Sequence, residues 1–140
     1  MFSAPWGRDV KDEMVEQVVM LMQDERVRLD QDRLAELYAQ LGESGAVDVI
    51  CRAMEELAAR LSHAARMYRQ GHVADMRKSV RSMAAISEQI GMHMLARVAR
   101  DVTGCIDAGD ANALAATLAR LMRIGERSLT EIWDLQDMTL

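Results

Sequence analysis

Three cations, Arg77, Lys78 and Arg81, fall within about a turn and a half of helix and are followed by Ala84, Ala85 and Glu88. Guanidinium and ammonium groups only donate hydrogen bonds, so such a cluster can hold carboxylate or phosphoryl oxygens. It cannot attack a substrate or accept a proton. Two alanines beside it would let another surface approach closely. The chemistry implied is docking around a fixed positive charge.

Few other residues offer chemistry. The histidines are His63, His72 and His93, the side chains that titrate nearest neutrality. Asp12 with Glu13 and Glu55 with Glu56 are acidic pairs, but sequence neighbours diverge on a helix and do not converge on one substrate. There is no glycine-rich phosphate loop and no nucleotide-binding fingerprint, and the Glu-x-x-His signature of bundle di-metal sites is absent. Cys51 and Cys105 each fall in an apolar-periodic segment without metal-ligand spacing, which predicts reduced, buried thiols. No catalytic residue, cofactor or metal is expected.

The bulk numbers agree with a binding role. With 140 residues the chain suits one domain, whose folding hides roughly two-thirds of the unfolded surface. Half of it is apolar and only 4% aromatic, with 12 methionines, so the core must be aliphatic and thioether. A net charge of −5 with interspersed signs argues against nucleic acid, which needs a positive field. No apolar run approaches the roughly 20 residues of a membrane span. The start, MFSAPWGRDVKDE, lacks a basic region followed by an apolar core, so it does not read as a secretory signal. A cytoplasmic location is expected.

Helical periodicity dominates, and glycine punctuates it. Gln31 to Leu41 carries Leu34, Leu37, Tyr38 and Leu41, with Asp30 as N-cap and Gly42 as stop. Ala46 to Gln70 carries Val47, Ile50, Met54, Leu57, Leu61, Ala64 and Tyr68, and Gly71 closes it. His72 to Ile90 places Val73, Met76, Val80, Met83, Ser87 and Ile90 on one face. Met92 to Ala108 carries Leu95, Val98, Val102, Cys105 and Ile106. Asp110 caps a last helix with Leu114, Leu118, Leu121, Gly125, Leu129 and Ile132 inward. Gly104 and Gly125 fall inside helices and are expected to mark close helix contacts. Connections this short force neighbouring helices to alternate in direction. The expected fold is all-α, an antiparallel up-and-down four-helix bundle over residues 29–140, preceded by an extension over 1–28. Val10, Met14, Val18, Leu21 and Met22 favour a helix in that extension. QVVMLM and RVRL around QDE also fit a hairpin.

On a helical wheel Arg81 points about 130° from the buried stripe of its helix. Ala74, Arg77, Lys78, Ala84, Ala85 and Glu88 lie around it on the outer face. In this register the run from Gln70-Gly71-His72 through Met76, Arg81, Met83, Ala84, Ala85, Gln89 and Ile90 to Gly91, with the later Ala108-Gly109-Asp110 bend, resembles the histidine-containing phosphotransfer (HPt) domain of bacterial phosphorelays. The resemblance spans about Leu29 to Leu135. It implies a four-helix bundle displaying a phosphorylatable histidine midway along one helix. Here Arg81 occupies that position, and Ala84 occupies that of the family's lysine. An always-charged guanidinium cannot take a phosphoryl group, so the resemblance implies a degenerate member.

The expected role is a non-catalytic, pseudo-phosphotransfer module that binds a response-regulator receiver domain. Its docking face would comprise Arg77, Lys78, Arg81, Ala84, Ala85 and Glu88, meeting the acidic pocket of the receiver. Two alternatives stand beside it. One is a bundle that assembles or dimerises through its N-terminal segment, without a receiver partner. The other is phosphotransfer through a displaced histidine, His63, read as lying on the outer face one helix away at about the height of Arg81.

Overall fold

The computed structural model describes residues 29–139, which form four α-helices and, among the described residues, no strand. They are α1 (Gln31–Arg69), α2 (Val73–Gln89), α3 (His93–Ala108) and α4 (Ala111–Thr139). The N-terminal extension, with its helix, hairpin and assembly readings, lies outside the described residues, and so does the side chain of Ile132.

Asp30 starts α1 as its composition suggests. Its backbone is extended (φ −71°, ψ 106°), and its carboxylate accepts from the amides of Asp32 and Arg33 at 3.0 and 3.3 Å, satisfying two otherwise orphaned donors. The expected break at Gly42 is present, as a kink where two helices meet within α1. Only that residue leaves helical geometry (φ 73°, ψ 172°), and α1 resumes immediately.

The three bends are a single motif repeated. Gly71, Gly91 and Gly109 take positive φ. The amide after each reaches back five residues: His72 to the Met67 carbonyl, Met92 to Ser87, and Asp110 to Cys105. Each glycine amide closes the inner bond, to Tyr68, Glu88 and Ile106. This is the Schellman ending, which satisfies carbonyls that a helix terminus leaves unpaired.

Packing closes a ring: α1 meets α2, α2 meets α3, α3 meets α4, and α4 returns to α1. The shared core contains Met54, Leu57 and Leu61 of α1, Met76, Val80 and Met83 of α2, Leu95, Val98 and Val102 of α3, and Leu118, Leu121 and Ile124 of α4. Each such side chain contributes roughly 1.5–3 kcal/mol by leaving water. The apolar stripes read from the sequence supply nearly all of it. The exceptions lie at stripe ends, where Tyr38, Leu41, Tyr68 and Val73 are exposed. Of the two mid-helix glycines, Gly125 does mark a close contact, since a Cβ there would sit 2.9 Å from Leu61 Cδ2. Gly104 does not, with nothing within 4 Å.

Candidate functional site: the outer face of α2

The outer face of α2 divides into an uncovered centre and two tied ends. Arg81, Lys78 and Ala85 are exposed. Neither Arg81 nor Lys78 makes an ion pair among the described residues. Toward the start of α2, Arg77 forms a two-pronged bridge to Asp107 of α3, Nε to Oδ1 at 2.8 Å and Nη2 to Oδ2 at 2.9 Å. The hydrogen bonds, and then the mutual charge, raise the Arg77 pKa above its ordinary value and lower that of Asp107. Arg77 is thus already engaged and stands at the rim of the free charge.

Glu88 is engaged as well. Its Oε1 accepts from Arg100 Nη2 at 2.8 Å, and its Oε2 bonds His93 Nδ1 at 2.9 Å. The Arg100 bond first, and the His93 bond next, hold its pKa below the usual glutamate value. The face therefore has a bridge to α3 at each end and unpaired cations between them.

Ala84 requires a correction. Placed on the outer face by the wheel, it is buried, at 8% exposure, and belongs to the core. It lies about 70° from the centre of the buried stripe at 100° per residue, within the arc that α3 covers. Ala85 remains outside, so one of the two alanines flanks the charged centre, not both.

His63 also sits differently from expectation. It is half-buried against α2, with Nδ1 2.5 Å from Ser79 Oγ, and Ser79 itself is buried. The bond fixes the ring plane and gives the buried hydroxyl a partner, while Nε2 has none among the described residues. His72 is exposed at the start of α2. Both cysteines are half-buried, less covered than their apolar surroundings predicted. A shallow apolar recess lined by Val73, Cys105, Ile106 and Leu114 opens near the α3–α4 bend. No cluster of three or more His, Cys, Asp or Glu side chains among the described residues could hold a metal. No helix there is long and apolar enough to cross a membrane.

Sequence reasoning missed one constellation, at the α2–α3 bend. His93 Nε2 bonds Asp30 Oδ2 at 2.9 Å while its Nδ1 bonds Glu88. Arg33 Nε donates to the Gln89 carbonyl at 2.7 Å, and the Asp30 amide to the Gly91 carbonyl at 2.9 Å. Asp30 and His93 stand 63 residues apart, and no short spacing joins them.

Searches of protein-family models, curated proteins and solved structures find no match for this chain.

Proposed function

We propose that this chain is a non-catalytic, HPt-like module of phosphorelay signalling that binds a response-regulator receiver domain through the face around Arg81. The observation that carries the reading is the pair of unpaired cations, Arg81 and Lys78, exposed on α2 between two ion-paired ends. Arg77 and Glu88 have intramolecular partners, and Arg81 and Lys78 are left for another molecule. A receiver's cluster of carboxylates around its phosphorylatable aspartate is a matching surface. Charge complementarity of this kind sets specificity and association rate more than affinity.

Several features support the HPt-like arrangement. Late in α2, Glu88 pairs with Arg100 midway along α3, while the earlier Arg77 pairs with the later Asp107. Opposed chain directions give this crossing of numbers. The three tight bends favour the same antiparallel order throughout. The register of Arg81 to Gly91 matches that of the family's histidine to its helix-ending glycine. With arginine there, the module binds without transferring.

The test is calorimetric titration of the full chain with purified receiver domains, repeated with Arg81→Glu and Lys78→Glu. Charge reversal should weaken binding at least about tenfold, since like charges at a docked surface cost several kcal/mol. Unchanged binding by both variants would end the proposal.

A second reading has one observation in its favour. The Ser79 bond holds the His63 ring and leaves Nε2 unpartnered, as a displaced phosphoacceptor would require. Intact mass after incubation with phosphoramidate decides it. An acid-labile phosphoryl adduct lost in His63→Ala would establish transfer, and no adduct would remove it.

A further inference from the structure

His93 is the one imidazole among the described residues with both ring nitrogens bonded to carboxylates: Nε2 to Asp30 and Nδ1 to Glu88, each at 2.9 Å. An ionised carboxylate only accepts hydrogen bonds, and a neutral imidazole donates only one. Both bonds therefore require the ring to be protonated. A neutral ring must give up one of them and turn a lone pair toward the carboxylate it loses.

What the ring joins makes that consequential. Asp30 is the N-cap of α1, Glu88 lies in the last turn of α2, and His93 is the first residue of α3. Around this contact the Asp30 amide donates to the Gly91 carbonyl and Arg33 Nε to the Gln89 carbonyl. The fit is close enough that a Cβ on Gly91 would lie 2.9 Å from Asp30 Cβ. The start of α1 is thus seated on the α2–α3 bend, with the imidazolium as its ionic fastener. Residues 1–28 join the bundle at this point.

We propose that protonated His93 clasps the N-terminus of α1 to the α2–α3 bend, and that loss of its proton loosens the clasp. The charged groups around the ring are consistent with this. Asp30 of α1 and Glu88 of α2 act on it directly, while Arg100 of α3 and Arg33 of α1 reach it through Glu88 and Gln89. Among the described residues, α4 supplies no group that shifts it. The bond to Asp30 and then that to Glu88 raise the His93 pKa above its ordinary 6.5. Asp30, through its bond to His93 first, is lowered from 3.8, and Glu88 from 4.5.

The signs define a window. A raised histidine contributes stability that is complete below its unfolded pKa and is lost as pH rises through the higher folded value. The lowered carboxylates contribute above their unfolded values and lose that contribution as pH falls through the folded ones. The clasp is therefore whole in mildly acidic solution and opens on the alkaline side of 6.5. Glu88 borders the outer face of α2, where Arg100 keeps hold of its Oε1 whether or not the His93 bond is made. The clasp itself does not depend on any partner binding there.

The experiment is a pH titration of the full chain by NMR, following the His93 ring nitrogens together with hydrogen-exchange protection of the Asp30 amide. Asp30→Asn serves as the comparison, because asparagine caps a helix as well as aspartate does and removes only the charge. At mildly acidic pH both ring nitrogens should carry protons. Protection at Asp30, corrected for chemical exchange, should be lost over the same pH range in which His93 titrates. In Asp30→Asn the His93 midpoint should move to lower pH. A midpoint unmoved by Asp30→Asn, or Asp30 protection indifferent to the His93 titration, would overturn the proposal. Binding of a receiver domain is measured separately, so failure of one leaves the other standing.

Discussion

Gly91, at the α2–α3 bend, and Gly104, within α3, sit in opposite surroundings. Gly91, in the clasped bend, has Asp30 and Arg33 so close that an added Cβ would fall 2.9 and 3.2 Å from their Cβ atoms. Gly104, between Arg100 and Asp107 on α3, has open space. The charges differ in the same way. At the bend Asp30, Glu88, His93 and Arg100 bond one another, whereas Arg81 and Lys78 along α2 pair with no described residue. The bend spends its polar groups on structure. The middle of the face holds its charge without an ion pair among the described residues, as the proposed docking requires.

The sharpest way to break this contrast is to make one substitution at both glycines. Gly91→Ala forces a side chain into positive φ (82°) and into Asp30, so it should cost about 2–3 kcal/mol in denaturant unfolding. Gly104→Ala meets nothing and improves helix propensity, so the same measurement should show a gain of about 0.5–1 kcal/mol. Equal effects at the two sites would show that the bend is no tighter than the face. Smallest in stability is Arg81→Ala, expected within about 0.5 kcal/mol of the unmodified chain. A larger loss would give Arg81 a structural role and weaken the case for docking.

Much of this fold was legible because its signals are local. Asp30 as a cap, and Gly71, Gly91 and Gly109 as helix ends, follow from the chemistry of single residues. Gly42 was legible in the same way, since its positive φ separates the two helices that meet within α1. Ala84 and His63 were misplaced because a wheel knows only its own helix. How wide an arc is buried depends on the neighbours, and α3 covers Ala84 while α2 reaches His63 through Ser79. The clasp was illegible for a stronger reason. Asp30 and His93 meet only after the bundle closes, and only the Glu88–His93 half lies within one bend. Arg81 itself was read correctly as exposed, since an arginine far from the apolar stripe of a helix has nowhere else to point.

The central claim is that the free charge of α2 receives a partner, and the most direct measurement maps where a partner lands. A purified receiver domain is titrated into the isotopically labelled full chain, and amide shift changes are followed residue by residue. The account predicts changes concentrated at Lys78, Arg81 and Ala85 and absent in Arg81→Glu. Changes confined to another surface, such as the exposed Tyr38, Leu41 and Val49 of α1, would contradict it. So would no change with any receiver domain tested.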